Sequence, residues 1–344
     1  MLHQEKNMNM IARAHSYELL KAVKPSFRYE GEQDYGAWQS NARAKLRELL
    51  GLGNMKKPDD DKFNMEWVKE TDEYIDYRFT MSSEEGYFFP CRLRMPKGIP
   101  TPMPLLVCLH GHSSGHHNAF AEVVYPADAP IAGVNDRAFA IRANAEGCAA
   151  LTVELRCMGE CGATPEGKPD CHVSSMAALL NGRTTIGERV HDVSCALDTV
   201  LKRFDFIDES RIMCIGSSGG GTATFYASCI DERISLAICS CCICTYKDSI
   251  AAMYHCVCNF IPNIAKHFDM GDLAGLIAPR HLIVVNGIED NIFPDKGVKE
   301  AYSTIEKMFS YAGVPDNCYI YTGNGGHRFF ADPTWSVVHK MLNF

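Results

Sequence analysis

Hydrophobic and polar positions follow two different periods along most of this chain. Short apolar runs that predict buried strands lie near residues 105–109, 149–155, 211–215, 234–239, 281–286 and 317–321. Segments with apolar residues three and four positions apart predict helices near 137–146, 186–203, 221–230, 296–312 and 333–342. Strands that alternate with helices favour an α/β fold with a mainly parallel central sheet and helices on both faces.

The N-terminal part of the chain has a helical pattern of its own. The apolar residues with mostly helical spacing are Trp38, Ala42, Leu46, Leu49 and Leu50. Gly51 follows them and can end the helix. We therefore predict a helical extension over residues 1–60 and one larger domain over residues 61–344. Whether the extension packs on that domain or on a neighbouring subunit of a homo-oligomer stays open.

Other segments fall outside the regular alternation. Residues 67–80 and 86–95 predict an antiparallel pair of strands ahead of the parallel sheet. Residues 156–185 and 240–278 are long and irregular, and both come after strand ends. Parallel sheets of this kind build their sites at that edge.

The most informative stretch is Gly216-Ser217-Ser218-Gly219-Gly220, between an apolar strand and small apolar residues. It fits the nucleophile elbow G-x-S-x-G, in which the middle serine stands on a strained turn between a strand and a helix. Side chains at either outer glycine would collide where the backbone doubles back. The following helix would direct partial positive charge at the serine. We predict Ser218 as the nucleophile, with Ser217 as its rival in the same turn.

A serine hydroxyl needs a general base, and the base needs an acid that orients it. Asp290 follows the next-to-last predicted strand, and His327 follows the last one through a glycine-rich loop. The chain order Ser218, Asp290, His327 is the order expected on such a sheet. Glu289 is the alternative acid, and Asp290 alone also fits a helix cap. Any one of the thirteen histidines alone fits a structural or surface role.

A histidine-rich loop at residues 110–117 follows the apolar strand at 105–109. A loop in this position donates a backbone N–H to the oxyanion of an acyl-transfer intermediate, and the residue after the nucleophile donates the other. We assign these donors to His112 and Gly219, with Ser113 as the alternative to His112. The other interpretation of the loop is a zinc site formed by His110, His112, His116 and His117.

Composition and charge narrow the classes of function. The net charge is −8, and no basic run exceeds two residues, which argues against nucleic-acid binding. No apolar stretch reaches the length of about 18 residues that a membrane span requires. The first residues lack the apolar core of a signal peptide, so we expect a cytoplasmic protein.

Sixteen cysteines are many for 344 residues. Those within apolar strand patterns are Cys108, Cys214, Cys239 and Cys241, which favours reduced, packed thiols. The alternative is metal binding by the stretches 239–244 and 255–258. These lack separated C-x-x-C pairs, and strand alternation would place Cys241 and Cys242 on opposite faces. We therefore predict no metal and no cofactor.

Four stretches carry a resemblance to a known family: 109–112, 182–193, 216–220 and 278–281. Over residues 65–344 the chain resembles the α/β-hydrolases, and more narrowly the bacterial acetyl xylan esterase and dienelactone hydrolase-like group. It departs from that group at His281, where proline is frequent, and from the dienelactone hydrolases proper at Ser218, where they use cysteine. The resemblance implies an α/β-hydrolase fold and a serine-hydrolase mechanism, but it does not determine the substrate.

These observations together predict a carboxylesterase that cleaves a small acyl ester, such as an acetylated carbohydrate, through an acyl-enzyme. The aromatic residues near the predicted acid and base are Phe293, Phe329 and Phe330. If their rings face the pocket rather than the core, they leave room only for a short acyl group. The alternatives are a peptidase or another acyl hydrolase with the same triad, and a cysteine-based metal or redox protein on a hydrolase scaffold.

Overall fold

The computed structural model describes residues 11–31 and 33–342. Its strands are β1 (Asn64–Glu70), β2 (Tyr74–Glu84), β3 (Tyr87–Pro96), β4 (Met103–Leu109), β5 (Ala149–Val153), β6 (Ile207–Ser217), β7 (Ile234–Ser240), β8 (His281–Gly287) and β9 (Cys318–Gly323). Its helices are α1 (Ala12–Ala22), α2 (Tyr35–Leu50), α3 (Phe139–Ala145), α4 (Cys171–Leu180), α5 (Thr185–Arg203), α6 (Gly219–Ile230), α7 (Ile264–His267), α8 (Met270–Ala274), α9 (Asp295–Tyr311) and α10 (Ala331–Leu342).

The strands form one sheet in the order β1-β2-β3-β5-β4-β6-β7-β8-β9. Neighbouring strands in the part β5-β4-β6-β7-β8-β9 are parallel. The pairs that involve β1, β2 or β3 are antiparallel. The predicted α/β-hydrolase fold with a mainly parallel sheet is therefore confirmed. Because parallel strands end at the same edge, the loops after β4, β6, β8 and β9 meet there.

Apolar side chains on both faces of the sheet form the core. Leu105 and Val107 of β4 belong to the cluster that also contains residues of α2, α5, α6 and α9. Leu106 and Cys108, on the opposite face, pack in the cluster with α3 and α10. This alternation is what a strand covered by helices on both faces requires.

The predicted antiparallel pair was wrong in its extent, because the structure has three strands where two were expected. The predicted strand at 67–80 is broken after Glu70 and resumes at Tyr74. Thr71 makes the break: its N–H donates to the Tyr74 carbonyl (2.9 Å), and its hydroxyl accepts the Tyr74 N–H (3.1 Å). Nearly all of β1 is exposed, so no inward-facing apolar pattern marks it as a separate strand.

The irregular segments contain helices that the pattern did not predict. Helix α4 lies within 156–185, and α7 and α8 lie within 240–278. In α4 three of the larger apolar side chains are exposed, Val173 at 70%, Met176 at 45% and Leu180 at 90%. A helix whose apolar residues face solvent gives no amphipathic signal.

Helix α2 of the N-terminal segment packs on the core of the same chain. The side chains of Trp38, Leu46 and Leu50 on α2 are fully or almost fully buried in the main core cluster. The helix ends at Gly51 as predicted, at φ 74°, and a Cβ there would lie 2.3 Å from the Gly182 carbonyl oxygen. Helix α1 buries none of its residues. The first ten residues of the predicted extension lie outside the described residues.

The cysteines follow the predicted packing in part. Cys108, Cys214 and Cys239 are fully buried within strands. Strand β7 ends at Ser240, and Cys241 has φ 49°, so the strand-alternation argument for Cys241 and Cys242 was wrong. In the part of the chain that the structure describes, no helix combines the length and the apolar character needed to cross a membrane.

Candidate active site

The glycine-rich turn after β6 is a strained elbow. Strand β6 ends at Ser217, α6 begins at Gly219, and Ser218 between them has φ 58° and ψ −124°. Such angles cost a non-glycine residue on the order of 1–3 kcal/mol and persist where the surroundings enforce them. A Cβ at Gly216 would lie 2.3 Å from the Gly220 carbonyl carbon, and one at Gly220 would lie 2.1 Å from the Leu109 carbonyl oxygen. Both glycines are therefore required for the turn to form.

The two serines of the elbow differ in environment. Ser218 is half-buried, and its N–H donates to the Ser240 carbonyl at 2.9 Å, which ties the turn to the end of β7. Ser217 is 2% exposed and continues the direction of β6. Only Ser218 has the conformation of the middle residue of an elbow.

Asp290 and His327 form a directly bonded pair. His327 Nδ1 lies 2.8 Å from Asp290 Oδ2. The other oxygen of Asp290 accepts the N–H groups of Ile292 (2.8 Å) and Phe293 (3.1 Å). Burial would raise the pKa of Asp290, but the His327 ring and these two N–H groups outweigh burial, so the pKa lies below its usual value. The carboxylate therefore stays ionised and accepts a hydrogen bond from Nδ1–H, which leaves Nε2 unprotonated in the neutral ring.

The alternative acid lies elsewhere. The side chain of Glu289 is exposed, and its backbone N–H donates to the Gly325 carbonyl at 2.9 Å. Within residues 11–31 and 33–342, no hydrogen bond or ion pair joins its carboxylate to His327.

Cys241 is also close to this pair, within 4.8 Å of an Asp290 oxygen and a His327 nitrogen. Burial first, and then the charge of Asp290, raise the pKa of Cys241 to about 12. Its Sγ lies 3.2 Å from the Arg328 carbonyl. The Cys241 side chain is therefore a neutral thiol at physiological pH, without the thiolate that nucleophilic attack requires.

Ser218 and His327 line one cavity of about 190 Å³. The other residues that define its walls include His112, Ile131, Arg137, Phe139 and Ile292. No hydrogen bond joins Ser218 to His327 within the described residues. Catalytic hydrogen bonds are frequently long without substrate and shorten in the reacting complex.

The three phenylalanines near the predicted acid and base are not among the residues that line the cavity, so of the two alternatives, pocket or core, the pocket does not apply. The Phe293 ring stacks on His327, with centroids 6.0 Å apart and planes 19° apart. Phe329 is 1% exposed and packs edge-on against Phe139 in the core. Phe330 contacts Tyr321. The apolar walls of the cavity are formed instead by Ile131, Phe139 and Ile292.

The histidines after β4 do not form the zinc site considered as an alternative. His110 Nε2 lies 2.8 Å from Glu154 Oε1, His116 Nδ1 lies 2.8 Å from Thr152 Oγ1, and His117 Nε2 lies 2.9 Å from Asp128 Oδ2. Each ring thus has its own polar partner. His112 faces a different group, with Nε2 3.2 Å from Cys258 Sγ.

The structure adds a cavity residue that the sequence did not indicate. Arg137 lines the cavity, and its guanidinium donates one hydrogen bond, to the His327 carbonyl at 3.3 Å. Among the described residues no carboxylate pairs with it, and its Nε is buried without a partner. No local pattern distinguishes this arginine from the many that lie on protein surfaces.

Comparisons with known proteins agree with this architecture. The sequence profile of the Abhydrolase family matches residues 5–323. The chain is 24% identical over 311 residues to "Putative hydrolase YtaP" of Bacillus subtilis (strain 168), covering 89% of this chain and 98% of that protein. It resembles the structure named as a putative acetyl xylan esterase from Bacteroides fragilis NCTC 9343, with TM-score 0.78, 18% identity, and coverage of 97% of this chain and 86% of that one. For a glucuronoyl esterase from Solibacter usitatus the TM-score is 0.67 at 15% identity, covering 94% of this chain and 98% of that one.

At these identities the structural likenesses establish the fold. The family match extends from the N-terminal helices to the last residue of β9, and it includes the elbow and Asp290. His327 follows four residues after the matched segment. The relatives carry hydrolase and esterase names, in agreement with the enzyme class predicted from the sequence. The chain belongs to the Abhydrolase family.

Proposed function

We propose that this protein is a serine carboxylesterase that cleaves small acyl esters through an acyl-enzyme. The observation that carries the proposal is the arrangement around one cavity of a serine on a strained elbow and a histidine bonded to a buried carboxylate. Ser218 Oγ attacks the ester carbonyl, and His327 Nε2 takes its proton and passes it to the leaving alcohol. Water then repeats the sequence on the acyl-enzyme. Asp290 keeps the ring in the tautomer that can accept the proton and stabilises the imidazolium.

The backbone around the elbow supports an oxyanion site. Gly219 is the first residue of the twelve-residue helix α6, so its N–H has no acceptor within the helix. The partial positive charge of this helix end favours an anion beside Ser218. The Ser113 N–H donates to the Gly111 carbonyl at 2.8 Å, which favours His112 over Ser113 as the second donor.

The walls of the cavity favour a short acyl group and a polar alcohol. Ile131, Phe139 and Ile292 limit the space beside Ser218, and Arg137 offers hydrogen-bond donors without a carboxylate partner. Sugar oxygens or a carboxylate would satisfy those donors. The names of the structural relatives, acetyl xylan esterase and glucuronoyl esterase, fit such a substrate, and we propose an acetylated carbohydrate.

A fluorophosphonate probe and a panel of p-nitrophenyl esters, acetylated sugars and peptide amides test the proposal. We expect one label per chain, on Ser218, and turnover of short esters. Labelling of Ser218 with turnover of amides but not of esters would favour the peptidase alternative. Absence of both labelling and turnover would overturn the proposal.

The length of the acyl chain is expected to control activity. We predict that kcat/KM on p-nitrophenyl esters falls steeply from acetate to octanoate, because Ile131, Phe139 and Ile292 narrow the cavity of about 190 Å³ beside Ser218. Ile292→Ala should widen the cavity and flatten this series. Ile288→Ala is the matched control, since Ile288 is half exposed and is not a lining residue. A flat or rising series in the wild type would contradict the prediction.

Arg137 is expected to bind the alcohol side of the substrate. A hydrogen bond to a charged group contributes about 1.5–3 kcal/mol, so Arg137→Gln should raise KM for acetylated sugars by roughly 10- to 100-fold. The kcat for p-nitrophenyl acetate should change little, because its leaving group lacks these acceptors. Arg328→Gln is the control, since Arg328 pairs with Asp136 at 3.0 Å and is not a lining residue. Equal losses on both substrates would show instead that Arg137 acts only by holding the His327 loop.

A further inference from the structure

Three cysteines from distant parts of the chain lie close to His112, which belongs to the loop after β4. His112 Nε2 and the Sγ atoms of Cys171, Cys256 and Cys258 all lie within 4.8 Å of one another. His112 follows β4, Cys171 begins α4, and the other two cysteines lie on the loop between β7 and α7. Only the fold brings these segments together.

We propose that these four side chains bind one zinc ion. Three thiolates and one imidazole form a donor set typical of structural zinc sites. A tetrahedral site with Zn–S of about 2.3 Å and Zn–N of about 2.05 Å has ligand–ligand distances of roughly 3.5–3.8 Å. The distances between the four ligand atoms are similar to these values: His112 Nε2 lies 3.2 Å from Cys258 Sγ, and no two of the atoms are more than 4.8 Å apart. Four protein ligands leave no open coordination position, so the ion is structural rather than catalytic.

A buried arginine beside the group supplies an independent indication of negative charge. Arg189 is fully buried, and it forms no ion pair with a carboxylate among the described residues. Its guanidinium lies 3.4 Å from Cys258 Sγ and 3.6 Å from Cys171 Sγ, and it donates to the Arg156 carbonyl at 2.8 Å. Buried charges are as a rule paired. Zinc with three thiolates and one neutral imidazole carries a net charge of −1, which the guanidinium balances.

Cys157 is the rival for the fourth ligand position. It is 5% exposed and packs in the same small cluster as Cys171 and Cys258. Its sulfur is not part of the four-atom group, whereas His112 Nε2 is. A disulfide between two of these cysteines is the other arrangement that close thiols can adopt.

The ion would hold the loop that contains the proposed oxyanion donor. The opposite side of the His112 ring rests on the elbow, because a Cβ on Gly219 would lie 2.7 Å from His112 Nδ1. Zinc would join this loop to α4 and to the loop after β7. The proposal concerns metal binding and does not rest on esterase activity, since none of the four ligands is a triad residue.

Metal analysis of the intact protein is the first test. The wild type is purified under argon without chelators or nickel resin, and its metals are measured by mass spectrometry. We expect one zinc per chain. Metal-depleted protein titrated with Co²⁺ should show thiolate-to-cobalt charge transfer and the strong visible bands of tetrahedral coordination, with an endpoint at one ion per chain.

Single substitutions locate the site independently of activity. Cys171→Ser, Cys256→Ser, Cys258→Ser and His112→Ala should each lower zinc content at least tenfold after dialysis, with folding verified by circular dichroism. Cys148→Ser is the matched control, since Cys148 is a buried cysteine that lies immediately before β5 and outside the four-residue group, and it should keep full zinc. A wild type that takes up neither zinc nor cobalt, unchanged zinc in Cys258→Ser, or a disulfide within the group would overturn the proposal. Zinc lost in Cys157→Ser but kept in His112→Ala would overturn the assignment of His112.

Discussion

Replacing Ser218 by alanine is expected to lower kcat by about 10⁴-fold or more while the protein stays folded, as removal of a nucleophile does in other triads. The expectation follows from the elbow, where of the two serines only Ser218 has a positive φ, 58°, and from the cavity, which Ser218 borders together with His327. Alanine keeps the Cβ and hence the same backbone strain, so the fold should not change. The measurement is kcat on p-nitrophenyl acetate, with the thermal midpoint as the check on folding.

Ser217→Ala is the matched control, because it removes the same hydroxyl one position earlier in the same turn. Ser217 also borders the cavity, but it is 2% exposed, it lies in the strand conformation of β6 and its Oγ is buried, so this hydroxyl has no comparable access to an ester carbonyl. We expect kcat to stay near that of the wild type. Peptide mapping of a fluorophosphonate adduct should find the label on Ser218. A label on Ser217, or equal losses in the two variants, would reject the assignment.

The sequence was sufficient to predict the parallel part of the sheet because its strands are apolar runs separated by helical segments. Strands β4 through β9 were recognised from apolar runs, and the glycines of the elbow are constrained by contacts as close as 2.1 Å that no other residue tolerates. Ser218, Asp290 and His327 could be proposed because each follows a recognisable strand. The parallel order then requires their loops to meet at one edge.

Helix α4, the position of Phe293 and the cysteine–histidine group could not be predicted, because they depend on contacts between segments that no local sequence pattern indicates. Helix α4 escaped prediction because several of its larger apolar residues face solvent, as Leu180 does at 90% exposure. Phe293 resembles a pocket residue in sequence, but its ring packs under His327. Cys171 and Cys258 are 87 positions apart, so neither could be recognised as a partner of His112 before the fold was known.

Asp290 differs from an ordinary capping carboxylate in how its two oxygens are used. One oxygen accepts hydrogen bonds from the N–H groups of Ile292 and Phe293, and the other accepts a hydrogen bond from His327 Nδ1–H, with 2.8 Å between the heavy atoms. An asparagine here would place its carbonyl oxygen on the two N–H donors, because its amide NH₂ cannot accept from them. The NH₂ group would then face Nδ1, which could only accept. The proton of the neutral ring would move to Nε2, the atom that must take the proton of Ser218.

We therefore expect Asp290→Asn to lower kcat by about 10⁴-fold, since it locks His327 in the tautomer that cannot act as a base. Raising the pH to 9 should not restore activity, because the defect lies in which nitrogen carries the proton and not in the charge of the ring. The measurement is kcat on p-nitrophenyl acetate across this pH range. Glu289→Gln is the matched control: its side chain is exposed and touches neither His327 nor the cavity, so activity should stay near that of the wild type. A larger loss in Glu289→Gln than in Asp290→Asn would show that the adjacent carboxylate is the acid and that the 2.8 Å contact to His327 is only structural.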